Sequence, residues 1–538
     1  MNFIMKKYLL FFILYSLLAT SGNAQTISQI IQSHFNGSYE NYSQYYMKDD
    51  KIGATLPPDK FASNGFFKFD FNHGDFSAGF QLESYLPSTL GFFPIPADNK
   101  SKIVNKYFKY TQKKFSIQVG DFYEQFGNGL IFRSYENRQI GINNAIEGFK
   151  ATAEPTSFLK TKFIYGKPRE IFDYANAYVR GADAELDLVR LFTKKEDTKI
   201  TTLSIGQSFI SKYQEYTGPL DNFPKQVNAN STRIDFASNK ITLNAEYATK
   251  SKDPHLTNGG SMKKGNAFQC SGDYTMNNLG FSVIFRSISN MEFKADRDQE
   301  YLSISPLNYL PSITKQHDNL TSNIYVYATQ IKGETGVQSD LYYKIKPGTT
   351  LGGKYGTQIA VNFSYNNALN DSGNVLSFGK QKYSSDCGID IKKKWNKKLE
   401  TTLAYQNIFF NGSLQVASHS NVIANLIAAS MLYKFANKTS IRFKVEHLFS
   451  DNDKKNWAAA LTEFSIKSKY TLFASDLYNY GLTKNHYYNI GASVTEKSTR
   501  LSVGFGKQRD GLFCVGGVCR FLPASYGFTA TLTTNFGY

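Results

Sequence analysis

Alternation of apolar and polar residues is the dominant pattern of this chain, and it is clearest in the last thirteen residues. A period of two predicts a β-strand with one apolar face and one polar face. The apolar side of this terminal strand carries Phe528, Ala530, Leu532, Thr534, Phe536 and Tyr538, and the polar side carries Thr529, Thr531, Thr533, Asn535 and Gly537. Some twenty similar segments precede it, so we expect an all-β protein.

Several internal segments show the same alternation with charged residues on the polar side. The clearest are residues 67–71, 241–247 and 441–446. A charged face cannot contact lipid, so in a transmembrane barrel it must line the interior. A soluble β-sandwich would show the same period with its apolar face inward. The period alone therefore does not separate the two architectures.

The N-terminus favours the membrane. Lys6 and Lys7 precede an apolar run from Tyr8 to Leu18, and the small residues of Gly22-Asn23-Ala24 follow. This pattern predicts a cleavable signal peptide of residues 1–24, because the run is too short for a membrane anchor. With the strand number and the terminal aromatic strand, it indicates a transmembrane antiparallel β-barrel in a bacterial outer membrane.

The connections between the predicted strands alternate between short and long. Short periplasmic turns and longer external loops are typical of outer-membrane barrels. Treating Tyr123 to Asn144 as a loop keeps this alternation and brings both termini to the periplasmic side. We therefore expect roughly 24 strands, within a range of 22 to 26, over residues 37–538. Residues 25–36 have apolar side chains at helical spacing and form a short periplasmic N-terminal segment.

A barrel of this size encloses a space that must hold water or inserted polypeptide. Residues 123–146 and 289–335 are long or structured enough to fold into the channel. The first has a predicted left-handed turn at Gly127, Asn128 and Gly129. Five charged residues around this turn could form an internal network or a site for a substrate or partner, and they are Asp121, Glu124, Arg133, Glu136 and Arg138.

The formal net charge of +17 is large. The basic residues are scattered singly and match no nucleic-acid-binding motif, so we expect no nucleic-acid partner. A basic lumen or contacts with anionic lipid headgroups explain the charge better.

Four cysteines are present. Cys514 and Cys519 flank Gly516-Gly517 in the last predicted external loop, and a disulfide is favoured there in an exported protein. A metal site is the alternative, but it would need two more ligands, and no His or Cys lies near in sequence. Cys270 and Cys387 lie on separate strands, and their pairing is left open.

Two histidine-containing stretches superficially resemble parts of barrel enzymes. His419-Ser420-Asn421 has the Ser and His of outer-membrane phospholipases, and His317-Asp318 has the His and Asp of outer-membrane proteases. Both lack the remaining catalytic residues at a convincing spacing, and adjacent residues on a strand point to opposite faces. We expect no enzymatic activity, no catalytic or metal site and no cofactor.

Three stretches together resemble a known family. They are residues 120–139, residues 309–317 with Tyr327-Ala328-Thr329-Gln330 after them, and Cys514 to Arg520. They are similar to a family of Bacteroidota outer-membrane proteins that is catalogued only as a domain of unknown function. The resemblance covers essentially the whole mature chain and implies the phylum and the barrel, with no established activity.

Two functions fit these expectations. The first is a porin-like channel or transporter for a solute, with a basic lumen that favours anionic cargo. The second is a structural or accessory barrel that binds other envelope proteins and whose lumen is sealed by loops. In either case the partners include outer-membrane lipid and lipopolysaccharide, and the barrel-assembly machinery during insertion.

Overall fold

The computed structural model describes residues 34–92, 101–193, 200–216, 223–298, 306–370, 375–415 and 420–537. The predicted signal peptide, most of the predicted N-terminal segment and Tyr538 lie outside these residues. Within them, the chain forms 24 long strands, each antiparallel to the next.

The strands are β1 (Phe35–Tyr46), β2 (Phe61–His73), β3 (Phe76–Tyr85), β4 (Ser101–Gln112), β5 (Phe115–Phe122), β6 (Ile146–Thr156), β7 (Leu159–Glu170), β8 (Ala177–Asp187), β9 (Ile200–Gln214), β10 (Gln226–Ser238), β11 (Ile241–Lys250), β12 (Gly265–Met276), β13 (Leu279–Ser289), β14 (Gly333–Ile345), β15 (Thr357–Asn367), β16 (Lys382–Lys394), β17 (Leu399–Asn411), β18 (Asn421–Lys434), β19 (Ser440–Ser450), β20 (Trp457–Ile466), β21 (Tyr470–Tyr478), β22 (His486–Glu496), β23 (Thr499–Gln508) and β24 (Ser525–Phe536).

Shorter elements lie in the connections. They are the strand pairs Gln125–Phe126 with Phe132–Arg133, Glu136–Asn137 with Ile142–Asn143, and Gly511–Val515 with Val518–Leu522, the strand Asp173–Tyr174, the helices Leu188–Phe192 and Gly412–Gln415, and the 3-10 turns Asp50–Ile52, Leu256–Asn258 and Ser322–Ile324. Within the described residues, no helix is long and apolar enough to cross a membrane.

The last strand closes the barrel. β24 pairs with β23 along one edge and with β1 along the other, where Gly37 stands opposite Phe536 and Tyr46 opposite Gly527. Every long strand therefore has two neighbours, and the sheet has no free edge. The closed antiparallel barrel of 24 strands confirms the predicted fold class and strand number.

Connections of two kinds alternate around the barrel. The start of β1 and the end of β24 share one rim with the short connections, and the long connections occupy the other rim. Residues 123–145 form a connection between β5 and β6, as predicted. Sequence analysis missed three connections: residues 188–199, which begin with the helix Leu188–Phe192, and the compact turns 451–456 and 479–485.

The two faces of the wall differ in chemistry. Phe163, Ile234 and Leu243 point outward and are 52%, 51% and 50% exposed, whereas Arg233 and Glu246 on the inner face are buried. Glu246 is buried because polypeptide from a long connection lies against it, whereas Arg233 is paired with carboxylates of the wall. The apolar face is left outside, as the alternation predicts for a barrel in lipid.

Candidate functional site inside the barrel

Three parts of the chain occupy the lumen at the end of the long connections. We call residues 123–145 the first inner segment, residues 290–298 and 306–332 the second inner segment and residues 511–522 the terminal hairpin. Each contacts inward-facing wall residues or another inner element, as described below. Together they form the most elaborate internal structure of the described chain and are the candidate functional site.

The first inner segment is held by an apolar core inside the barrel. Phe126, Ile131 and Phe132 are completely buried. They pack with Phe293 and Leu307 of the second inner segment and with small or branched wall residues, which are Ala177, Val179, Ile210, Val227, Ala229, Ala248, Ala267 and Ile288. Burying a large apolar side chain stabilises a fold by about 1.5–3 kcal/mol, so this cluster fixes the segment firmly.

The predicted glycine turn lies against the wall. Gly127 and Gly129 have φ of +51° and +85°, a conformation that favours glycine. A Cβ on Gly127 would lie 2.6 Å from a carboxylate oxygen of Glu246. This close approach lets the backbone N–H of Asn128 donate to Glu246 Oε2 at 2.7 Å. The turn thus anchors the segment to β11.

The structure distributes the five predicted charged residues over several contacts. Arg138 pairs with Glu136 at 3.0 Å and with Glu40 of β1 at 2.8 Å. Glu124 pairs with Lys162 of β7 at 2.9 Å. The fifth, Asp121, belongs to strand β5 and accepts a hydrogen bond from the backbone N–H of Lys106 at 3.0 Å. Glu136 and Arg138 are therefore brought together, whereas Glu124 binds the wall and Asp121 is part of it.

Arg133 has a different environment from the one expected. Its guanidinium carbon lies 3.9 Å from the ring centre of Tyr309 and 4.7 Å from that of Tyr135. Among the described residues, no carboxylate lies within ion-pairing distance of it. Arg133 therefore makes cation–π contacts and does not join the predicted network of charges, because Tyr309 of the second inner segment packs over this position.

The second inner segment begins at the wall of β9 to β11. Lys212 Nζ donates to the carbonyl oxygen of Lys294 at 2.8 Å and to Asp253 Oδ1 at 2.6 Å. Burial by itself would raise the pKa of Asp253, but the ammonium groups of Lys212 and Lys250 outweigh it and hold that pKa below its ordinary value. A charged carboxylate in the connection 251–264 thus orients the lysine that holds the segment.

Further along, the same segment contacts another part of the wall, at β17 to β20. The backbone N–H groups of Leu320 and Thr321 donate to the two carboxylate oxygens of Glu446 at 3.1 and 2.9 Å, and the Thr321 hydroxyl donates to Glu446 at 2.8 Å. Tyr325 then packs into a second apolar cluster that contains Trp457. The segment therefore spans the lumen between two walls.

We expect Glu446→Gln to loosen residues 318–322 without unfolding the barrel. Glutamine has one acceptor oxygen and no charge, so it cannot reproduce the three hydrogen bonds. A hydrogen bond to a charged group contributes about 1.5–3 kcal/mol, which corresponds to roughly tenfold or more in local opening. Hydrogen exchange at the amides of Leu320 and Thr321 measures this effect.

The matched control is Glu185→Gln, which removes a carboxylate that pairs with Arg233 on the wall at 3.3 Å. It should leave exchange at Leu320 and Thr321 unchanged. Unaltered exchange in the Glu446→Gln protein would show that this carboxylate does not hold the segment.

The terminal hairpin docks onto the second inner segment. The N–H of Ser312 donates to the carbonyl oxygen of Gly517 at 2.8 Å, and the Gln316 side chain donates to that of Cys514 at 2.9 Å. Cys514 and Cys519 stand opposite each other and form a disulfide. Cys270 and Cys387 are free thiols.

Reduction of the disulfide should leave the barrel intact. A bridge across so short a loop removes little entropy from the unfolded chain, and the hairpin is also held by its hydrogen bonds to residues 309–316. Alkylation after unfolding should label two cysteines without reductant and four with it, and Cys270 and Cys387 serve as the internal standard. Four labelled cysteines in protein isolated without reductant would exclude the bridge.

A cavity of about 790 Å³ lies between the second inner segment and the short connections. Asp318 and Asn319 of that segment line one side of it, and the wall contributes the small residues Gly280, Ala360, Ala404 and Ala428. Charged side chains also face it, and they are Lys344, Asp390, Lys392, Glu400, Arg442 and Lys444. The lumen is thus filled by polypeptide at the end of the long connections, and it contains this cavity nearer the short connections.

The wall residues that hold the inner elements were not predicted from the sequence. Lys212, Glu246 and Glu446 are the main ones. Their signal is weak, because each is one of many polar residues on an inward face. They could have been predicted as charged residues near the long-connection end of a strand, because buried polypeptide can reach a side chain there.

Comparison with known proteins gives a family and several distant structural likenesses. A family model described as "Family of unknown function (DUF6029)" matches residues 5–536. No curated protein matches the sequence. The expected resemblance to an uncharacterised family is confirmed over nearly the whole chain.

Solved barrels of several kinds are similar to this chain at low identity. The P pilus usher (PapC) translocation pore is 8% identical, over 93% of this chain and 99% of that chain, with a TM-score of 0.43. The siderophore receptor PirA from Pseudomonas aeruginosa is 8% identical, over 94% and 80%, with a TM-score of 0.42. Pseudomonas aeruginosa OccK1 is 9% identical, over 93% and 98%, with a TM-score of 0.36.

Proposed function

We propose that this protein, which belongs to the DUF6029 family, is an outer-membrane channel or transporter for a solute. Its own inner segments narrow its lumen. The observation that carries this proposal is the division of the wall into an apolar outer face and a charged inner face around a partly hollow interior. Such a wall excludes lipid from the interior and admits water and polar solutes.

The proposed orientation follows from the connections. Short connections and both chain ends share one rim, which we assign to the periplasm, and the long connections then face the cell exterior. In this orientation the signal peptide precedes a barrel that begins at β1. The inner segments enter the lumen from outside, and the 790 Å³ cavity opens towards the periplasmic end.

Movement of the second inner segment would connect the two ends of the lumen. At the cavity it is held by ion pairs and hydrogen bonds, such as that of Asp318 with Lys444 at 3.3 Å. These contacts can be exchanged for water one at a time, unlike the apolar core that fixes the first inner segment. The proposed moving part is therefore residues 312–322, while the first inner segment remains in place.

The cavity favours an anionic solute. Its basic side chains are Lys344, Lys392, Arg442 and Lys444, against the acidic Asp318, Asp390 and Glu400. All three acids are paired, Asp318 with Arg442 and Lys444, Glu400 with Lys392, and Asp390 with Lys315. Among the described residues, Lys344 has no carboxylate partner, so the cavity keeps an excess of positive charge that attracts anions. No step of this proposal involves bond making or breaking, and we propose that the protein is not an enzyme.

Conductance of the purified barrel in a planar bilayer tests the proposal. We expect discrete current steps that are small for a barrel of 24 strands, and a reversal potential in a KCl gradient that shows anion preference. A protein that stays silent, even when its second inner segment is removed, would not be a channel.

The accessory-barrel function has one specific observation in its favour. The first inner segment is fixed by a completely buried apolar core, which suits a permanent seal. That function predicts no current in the intact protein and a stable complex with another envelope protein after mild solubilisation. Crosslinking in cells followed by purification distinguishes it from the channel.

A further inference from the structure

The positive charge of the chain is concentrated at the rim of the short connections. The described short connections contain one acidic residue, Asp75, and twelve basic residues: Lys113, Lys114, Arg190, Lys240, Lys346, Lys354, Lys397, Lys398, Lys438, Lys467, Lys469 and Lys497. The long connections mix both signs, as Asp49, Asp50 and Lys51 do in the first of them. The excess charge therefore has a definite place on the molecule.

Most of this charge lies on one arc of the rim, from β14 to β23. Its five connections are residues 346–356, 395–398, 435–439, 467–469 and 497–498, which together hold eight lysines and no acidic residue. Within the described part of the chain, Lys469 alone among the eight has a carboxylate partner, which is Glu496. We call this set of connections the basic arc. It is exposed and largely unneutralised.

Aromatic side chains that point outward lie directly beside these lysines. Trp395, Phe435 and Tyr470 are 54%, 47% and 47% exposed. Lys469 Nζ of the arc lies 5.5 Å from the ring centre of Tyr470, and Nζ of Lys393, which precedes the arc at the end of β16, lies 4.7 Å from that of Trp395. Aromatic rings interleaved with lysines are typical of the boundary between the hydrocarbon core and the headgroups of a membrane.

We propose that the basic arc binds phospholipids with negatively charged headgroups in the leaflet that the short connections face. The aromatic rings fix the depth of this rim at the headgroup level, and the unpaired ammonium groups then meet the phosphates. An acidic protein would instead dock on the end of the barrel and would leave the outward-facing rings without a role. Only a lipid would contact the lysines and the outward-facing rings at the same time.

The two tryptophans of the chain provide a direct measurement. Trp395 lies in the basic arc, whereas Trp457 is 1% exposed inside the barrel. The barrel is reconstituted in vesicles that contain phosphatidylcholine and phosphatidylglycerol, with bromine on an upper acyl-chain carbon of only one of them. Quenching of Trp395 then reports which lipid lies beside the arc. Trp395→Phe identifies the signal, because Trp457 should not be quenched.

We expect phosphatidylglycerol to be preferred by about fivefold or more, since one lysine near an anionic surface contributes about that factor. The ratio of phosphatidylglycerol to phosphatidylcholine beside Trp395 should fall towards one in the Lys397→Gln/Lys398→Gln protein and at high salt. The matched control is Lys263→Gln/Lys264→Gln, which makes the same charge change in an exposed part of the opposite rim and should keep the preference. A heat-modifiable band on a gel confirms that both variants fold.

Equal quenching by the two brominated lipids in the wild-type protein would overturn the proposal. A control variant that loses the preference as fully as the arc variant would also overturn it, because the effect would then depend on net charge. If quenching is equal and an acidic protein is retained through Lys397 and Lys398, the arc is a protein-docking surface instead.

Discussion

Replacing residues 295–330 with a short Gly-Ser linker is expected to raise single-channel conductance several-fold and to make cells sensitive to large antibiotics. The replaced residues include Asp296 and Arg297, which bind Gln214 of β9, and the contacts with Glu446 on the other wall, so the bridge across the lumen is lost. A linker can close the gap, because Ser289 at the end of β13 stands opposite Gly333 at the start of β14. Without the bridge, the wide barrel has much less to obstruct it.

A shortened connection 346–356 is the matched control, because it removes exposed residues from the opposite rim and leaves the inner elements untouched. It should give wild-type conductance and antibiotic resistance. Outer-membrane fractionation shows whether both variants are inserted. An inserted linker variant that has wild-type conductance and resistance would show that the second inner segment does not limit passage, and the accessory-barrel function would become the stronger one.

Deleting Tyr526 to Tyr538 is expected to abolish assembly. β24 pairs with β23, where Leu501 stands opposite Leu532, and with β1, where Asn41 stands opposite Leu532. Its loss exposes the edges of both neighbours to hydrocarbon, where each unpaired backbone group costs several kcal/mol. The measurement is the amount of heat-modifiable protein in the outer-membrane fraction.

Phe528→Leu is the control for this deletion, because Phe528 is 55% exposed on the apolar face and leucine keeps both the face and the backbone pairing. This variant should assemble normally. Wild-type amounts of a folded, membrane-inserted barrel without the last strand would contradict the closure described here.

Alternation of apolar and polar residues, together with the N-terminal pattern and the alternation of short and long connections, was sufficient to predict the barrel, its strand number and the apolar outer side of most strands. It succeeds because each strand has one face in lipid and one in a polar interior, so every residue is constrained by a period of two. The connections 451–456 and 479–485 were not predicted, because they are compact and contain few residues that mark a break between strands. The connection 188–199 was not predicted, because the strand before it runs directly into the helix Leu188–Phe192.

Contacts inside the lumen were less accessible to sequence reasoning. Glu136 and Arg138 are close in sequence, so their pairing follows from local geometry. The partners of Glu124 and Arg133 come from β7 and from the second inner segment, and these partners are set by how the inner elements pack. A period of two assigns a residue to the inner face but does not say which distant residue reaches it.

The carboxylates that hold the inner segments come late in the chain. Glu246 lies 118 residues after Asn128, and Glu446 lies 125 residues after Thr321. During synthesis and export, each segment therefore emerges long before the strand that fixes it. The terminal hairpin arrives later still, just ahead of the strand that completes the ring. A firmly held interior is consequently a sign of a full-length chain, because a chain that ends before β19 lacks the carboxylate that binds Leu320 and Thr321.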